Sequence, residues 1–175
     1  SEGGALTDLG TLGGTHSEGH GINDAGDVTG WSSLATGDRL HAVLYHDGRM
    51  DDLGTLGDAS SFAADVNNNG DVVGWCNAPG FLRGFIYSDG EMTDLNDLLP
   101  SAQRREWTIV KANGINDAGQ IIATAVGIQG GSRAVLLTPT SPVPETSTTA
   151  LLAAGLGTIA WARRRSLSRP ASRPA

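Results

Sequence analysis

The chain has 175 residues, with 18% charged and 5% aromatic side chains, a length that matches one domain by the usual prior of about 100–200 residues. Glycine stands at 25 positions, about twice ordinary usage. Interior glycine costs a helix about 1 kcal/mol relative to alanine, which argues against a helical bundle, and no Gly-X-Y period supports collagen. The net charge of −7 divides into −11 over residues 1–140 and +4 over residues 141–175, an acidic body that repels phosphate backbones and argues against nucleic acid as a partner. The apolar content of 39% is too rich for a fully disordered chain. A single cysteine, Cys76, allows no internal disulfide and is read as a small, half-buried apolar residue.

Residues 1–14 lack the basic and apolar regions of a signal peptide. The chain starts without Met and partway through a repeating pattern, so it reads as the C-terminal piece of a longer protein. That pattern decides the fold class. Asp8-Leu-Gly-Thr-Leu-Gly13 returns as Asp52-Leu-Gly-Thr-Leu-Gly57, and a degenerate copy begins Asp94-Leu-Asn-Asp-Leu98. Gly21-Ile-Asn-Asp-Ala-Gly-Asp-Val-Thr-Gly-Trp31 returns as Asp65-Val-Asn-Asn-Asn-Gly-Asp-Val-Val-Gly-Trp75 and as Gly114-Ile-Asn-Asp-Ala-Gly-Gln-Ile-Ile122. Ala42-Val-Leu-Tyr-His-Asp-Gly-Arg-Met50 returns as Gly84-Phe-Ile-Tyr-Ser-Asp-Gly-Glu-Met92, with Ala134-Val-Leu-Leu137 a truncated third version. The units run over about residues 6–50, 50–92 and 92–138.

Each unit carries two hairpin signals. Asp24-Ala25-Gly26 sits between Ile22-Asn23 and Val28-Thr29, and these turn residues tolerate left-handed backbone. Asp47-Gly48 sits between Val43-Leu44-Tyr45 and Arg49-Met50, and primed turns require its positive φ. Two hairpins make four short strands in about 43 residues, the dimensions of one β-propeller blade. The expected fold is therefore all-β, a partial β-propeller-like array of about three four-stranded units. The Leu-Gly-Thr-Leu-Gly segments are the crossovers, and a stacked β-solenoid is the alternative. Three units do not close a ring of about four to eight blades, so the missing blades are expected from the parent protein. The third unit has a longer insert, Pro100-Ser-Ala-Gln-Arg-Arg-Glu-Trp107, read as a helical turn or exposed loop; with Arg104, Arg105 and Lys111 nearby it is also a candidate binding loop.

On these repeats the chain resembles the bacterial extracellular repeat family named HAF, through residues 8–14, 21–30 and 41–54. The name-giving triplet is His41-Ala42-Val43 in one copy and Arg83-Gly84-Phe85 in the next. The resemblance covers about residues 5–138 and implies an extracellular or surface β protein, with no defined activity.

Residues 139–145 are a Pro-rich linker with three prolines between Pro139 and Pro144. Residues 146–162 carry no charge and include Leu151, Leu152, Leu156, Ile159 and Trp161. As a helix they would span about 25 Å, short for the ~30 Å hydrocarbon core. The basic tail, residues 163–175, opens with Arg163-Arg164-Arg165, which suits the cytoplasmic side of a membrane. Together the tail resembles the PEP-CTERM sorting signal: Val143-Pro144-Glu145, a short transmembrane helix and an arginine cluster, with Thr146 where the family usually has proline. That resemblance implies export, transient anchoring in the bacterial inner membrane and recognition by an exosortase-type membrane enzyme. Val143, Pro144, Glu145, Arg163, Arg164 and Arg165 would be recognised residues of the signal.

No catalytic residue, cofactor or metal site is assigned. Asp65-Val-Asn-Asn-Asn-Gly-Asp71 imitates the start of a calcium loop, but Cys76 stands where the bidentate acid belongs. His16 and His20 are four apart among glycines that disfavour a helix, so their spacing implies no zinc pair. No Gly-x-Ser-x-Gly or P-loop occurs. Asp8, Asp52 and Asp94 recur once per unit, as structural residues do. Trp31 and Trp75 share one repeat position, where they pack unit on unit or stack on sugar rings. The functional expectation is a non-enzymatic structural or binding scaffold at the bacterial surface or in the extracellular matrix, with exopolysaccharide or glycans as candidate partners. The alternatives are a carbohydrate-binding module, or the C-terminal part of an extracellular hydrolase whose active site lies upstream.

Overall fold

The computed structural model describes residues 4–37, 39–57, 60–78 and 80–139. They form three antiparallel sheets in chain order. The first contains β1 (Gly13–Ile22), β2 (Val28–Leu34), β3 (Leu40–His46) and β4 (Arg49–Asp52). The second contains β5 (Ser60–Val66), β6 (Val72–Ala78), β7 (Phe81–Ser88) and β8 (Glu91–Asp94). One helical turn, α1 (Ser101–Arg104), precedes the third, made of β9 (Trp107–Ile115), β10 (Ile121–Gly127) and β11 (Ser132–Leu137). The all-β expectation holds, and each repeat is one sheet.

Local chemistry accounts for the meanders. Asp47 and Gly48 have φ of 50° and 77°, and Asp89 and Gly90 have 53° and 83°, the two successive positive values a type I′ hairpin requires. In the other hairpins the Asn side chain organises the turn: Asn23 Oδ1 accepts from the backbone N–H of Ala25 and Asp27, and Asn67 and Asn116 repeat the pattern. The first strand of each sheet carries a register shift at one equivalent place, around His20, Ala64 and Asn113. Gly30 and Gly74 face these bulges. A Cβ on either would fall within 2.0 Å of a backbone carbonyl oxygen, from Glu18 and Phe62 respectively, so the bulge and the glycine are one device.

The sheets bury their faces against one another in two apolar layers. Between the first and second sheets lie Ala42, Leu53, Ala63, Val66, Val72, Cys76 and Phe85. Between the second and third lie Val73, Ile86, Leu95, Leu99, Ile109, Ala112, Ile121, Ala123 and Leu137. Neighbouring residues Val72 and Val73 thus serve opposite layers, as the two-residue period of a strand dictates. Leu53 and Leu95, from the crossovers after β4 and β8, are 6% and 0% exposed; these segments connect sheets, as the repeats imply.

The third unit departs from the expected four strands. Among the described residues its sheet has three, because β11 is followed by Thr138-Pro139 and not by an Asp-Gly turn.

Candidate functional site

The repeated Asn-Asp turns stack into a polar ladder along one end of the three sheets. Asn23 Nδ2 donates to the Asn67 carbonyl at 3.1 Å, and Asn67 Nδ2 donates to the Asn116 carbonyl at 3.2 Å. The backbone N–H of Asp24 donates to Asn68 Oδ1, and that of Asn68 donates to Asp117 Oδ1, each at 2.9 Å. Asn68 Nδ2 bridges the carboxylates of Asp24 and Asp117 at 2.8 and 2.9 Å. These bonds hold the Asp117 carboxyl below its ordinary pKa, the Asn68 backbone N–H contributing most. Asp65 joins the same seam: its Oδ2 accepts from the Ile115 N–H at 2.9 Å. Glycines stand at the matching positions on either side: a Cβ on Gly21 would come 2.9 Å from the Asp65 Cα, and one on Gly114 would press on the Ile122 side chain at 3.1 Å.

A second row crosses the middle of the array. The register pairs Glu18 with Trp31, Phe62 with Trp75 and Lys111 with Thr124, one pair per sheet. Trp31 Nε1 donates to Glu18 Oε2 at 3.1 Å. Trp31 meets Phe62 edge to face with ring centroids 6.3 Å apart, and Phe62 stacks on Trp75 at 5.7 Å. The Lys111 ammonium lies 4.6 Å from the Trp75 ring centroid, a cation–π contact. Trp75 is thus held between Phe62 and Lys111. The two tryptophans singled out by the sequence come together through Phe62 in an inter-sheet packing row.

The recurring acids serve the crossovers. Asp8, Asp52 and Asp94 each accept from a backbone N–H two residues on, at 2.9, 2.8 and 2.8 Å, the Asx-turn geometry. Two of them also hold a basic residue on the neighbouring strand: His41 Nδ1 lies 2.9 Å from Asp52, and the Arg83 guanidinium 3.4 Å from Asp94. His41 is thereby oriented, with its Nε2 buried and without a hydrogen-bond partner. Arg49 holds the Asp51 carboxyl below its usual range through a direct hydrogen bond, assisted by His46.

The insert before the third sheet contributes two depressions. A polar cleft of about 280 Å³ is lined by Arg83, Asp94, Asp97, Arg104, Phe81 and Thr108, among others. Its charges are mutually engaged, with Arg104 3.7 Å from Asp97 and donating to the Asp97 and Leu99 carbonyls. An apolar groove of about 400 Å³ lies beside β11, lined by residues that include Leu99, Trp107, Ile109, Ala125, Val135 and Leu137. The candidate calcium-loop residues are committed elsewhere: Asp65 to Val66 and Ile115, and Asn67 to Asp71 and the turn backbone. No group of three or more metal-capable side chains occurs among the described residues. His16 and His20 lie on β1, and His20 Nδ1 sits 2.9 Å from the Ala63 carbonyl. Burial pushes the Cys76 thiol pKa up.

Val143, Pro144, Glu145, Arg163, Arg164 and Arg165, with the 146–162 span, lie outside the described residues. Among the described ones no helix is long and apolar enough to cross a membrane. Reading the turns one at a time missed the polar ladder. Its signal was present in the asparagine that recurs at the same step of every unit, Asn23, Asn67 and Asn116. A family model described as a protein of unknown function, DUF3466, matches residues 13–134. No curated protein and no solved structure matches the chain.

Proposed function

The chain belongs to the DUF3466 family of proteins of unknown function, and we propose that it is an exported, non-enzymatic scaffold of the bacterial surface or extracellular matrix. Its three sheets are blades of a partial β-propeller of the HAF type, and its tail is a PEP-CTERM-like address. The propeller reading is supported by sheets that stack face to face in chain order, each joined to the next by one short crossover. The single observation that carries the scaffold reading is where the recurring polar side chains go. Asn23, Asn67, Asn68, Asp65 and Asp117 bond from one sheet to the next. The recurring Asp8, Asp52 and Asp94 close crossover turns. Residues that an enzyme would present to a substrate here hold repeats together.

Delivery rests on the tail. Val143, Pro144 and Glu145 would be read by an exosortase-type enzyme, the following span would anchor transiently in the inner membrane, and Arg163, Arg164 and Arg165 would hold the cytoplasmic side. Removing residues 143–175 is expected to shift the protein away from the cell surface and matrix, as followed by fractionation and immunoblotting. Unchanged surface delivery of the truncated protein would refute the address.

A further inference from the structure

The two junctions between sheets are not alike. From Leu95 to Asn116 the chain takes 21 residues, against 14 from Leu53 to Asn67 at the junction before it. The extra length is the segment Pro100-Ser-Ala-Gln-Arg-Arg-Glu-Trp107, which has no counterpart in the earlier units and carries α1. Beside it lies the polar cleft of about 280 Å³. At the matching place in the first junction the His41 side chain is 15% exposed and its Nε2 is buried. Arg83 stands on the same repeat step at 40% exposure and lines the cleft. Asp52 and Asp94 close the same turn at both junctions, so the inserted segment is what sets the second junction apart.

The cleft is braced from both sides. Asn96 Oδ1 accepts from the Ile109 N–H at 2.7 Å, and Asn96 Nδ2 donates to Asp94 Oδ1 at 2.8 Å and to the Ile109 carbonyl at 3.0 Å. The Arg83 guanidinium reaches Asp94 Oδ2 at 3.4 Å and lies 4.6 Å from the Phe81 ring centroid, a cation–π contact. Arg104 donates to the Asp97 and Leu99 carbonyls, with the Asp97 carboxylate 3.7 Å away. Two aromatic side chains also line the cleft, Phe81, which is 49% exposed, and half-buried Trp107. Side chains held in place beforehand spare a ligand the cost of ordering them. Guanidinium and carboxylate groups offer paired donors and acceptors in a plane, the pattern that neighbouring hydroxyl groups match. Aromatic faces take the C–H side of a sugar ring.

We propose that this cleft binds one ring of a neutral glycan, with Phe81 and Trp107 against its C–H faces and Arg83, Arg104 and Asp97 hydrogen-bonding its hydroxyl groups. The volume stands at the lower edge of the roughly 300–1,000 Å³ of small-molecule pockets, which suits a single ring of a longer chain. Charge selects against an acidic sugar. Arg83 and Arg104 are matched by Asp94 and Asp97, and the surrounding body, residues 1–140, carries a net charge of −11, a field that repels anions. The choice of a glycan as ligand rests on the matrix-scaffold reading above; the cleft and its bracing do not. On that reading the repeated residues build the scaffold, and the one junction that breaks the repeat carries the recognition.

The test uses the full 175-residue chain. Its migration is followed by affinity electrophoresis in gels containing dextran, galactomannan or β-glucan, with alginate as the acidic comparison. Retardation by at least one neutral polysaccharide is expected, and calorimetric titration with the matching oligosaccharide is expected to saturate in the millimolar range or below. Phe81→Ala and Arg104→Ala are expected to weaken that binding by about tenfold or more, with unfolding midpoints measured alongside to show that both variants fold. Asp97→Asn, at a side chain 73% exposed, leaves the fold undisturbed and is expected to weaken binding by about threefold. Trp31→Ala, in the packing row of the first two sheets, is expected to keep it. Retardation by none of the neutral polysaccharides overturns the proposal, as does retardation by alginate alone. Binding that survives both Phe81→Ala and Arg104→Ala overturns it too, and if Trp31→Ala then abolishes binding, the sugar sits on the aromatic row instead. None of these outcomes bears on surface delivery, which the tail truncation reads separately.

Discussion

Asn67 and Asn116 do the same work on two turns, but only Asn67 is sealed between neighbours, at 3% exposure. Its side chain accepts from the Asn69 and Asp71 N–H groups and donates to the Asp71 carboxylate and the Asn116 carbonyl. Asn67→Ala strands several of these groups away from water, and a buried unsatisfied group costs about 1–3 kcal/mol. Urea denaturation is expected to show a loss of about 2–4 kcal/mol for Asn67→Ala and about 1 kcal/mol or less for exposed Asn116→Ala. The ladder also carries a pH dependence. Asp117 is held below its ordinary pKa by Asn68, and Asp51 by Arg49. For a depressed carboxyl, the stabilisation is present above the unfolded value near 3.9 and is lost as pH falls through the folded value. Stability is therefore expected to drop on acidification below about pH 4, and Asp117→Asn should blunt that drop in denaturation curves at pH 7 and pH 3.

At the scale of strands, the aromatic row couples sheets that the backbone does not join by hydrogen bonds. Trp75 lies between Phe62 and Lys111, and Trp31 touches Phe62 by an edge. Trp75→Ala is expected to cost about 2–3 kcal/mol, toward the low end for a half-buried tryptophan, and Trp31→Ala less. A Phe62/Trp75 double-mutant cycle is expected to return a coupling of about 1 kcal/mol. Additive effects in that cycle would mean the rings pack independently. The glycine at the bulge is less forgiving than either ring. Gly74→Ala drives a Cβ into the Phe62 carbonyl oxygen and toward the Phe85 ring, so the second sheet must shift to accept it, and a lowered unfolding midpoint is the expected readout.

Across the whole molecule the three sheets form a short stack in which neighbours share buried apolar layers. The approximation for such arrays is a sum of unit and nearest-neighbour terms. Position in the stack therefore decides what a substitution costs. Val73 and Ile122 occupy the same step of their units, one buried between sheets and one exposed on the third sheet among the described residues. Val73→Ala is expected to cost about 1–2 kcal/mol in the single chain. Ile122→Ala, at a site 56% exposed, is expected to change stability by about 0.5 kcal/mol or less in the same denaturation measurement. The charge division belongs to this scale too. An acidic folded array and a basic tail place the two ends of the chain in different electrostatic settings.

The repeats, the strand count of the first two units and the turn types were legible in the amino-acid order. They depend on local rules: positive φ at Asp47-Gly48, alternation along β2 and β6, and breaks at glycine. The structural duty of Asp8, Asp52 and Asp94 was legible too, because their recurrence tracks the crossover and no unique centre. What only the tertiary structure decided is which residues meet across sheets. Asn23 finds Asn67 and Asn67 finds Asn116 at separations of 44 and 49 residues, and Phe62 slides between two tryptophans. The three-stranded form of the last sheet among the described residues also emerged only there. Proximity between stacked units depends on how whole faces pack, and no single turn or strand encodes that distance by itself.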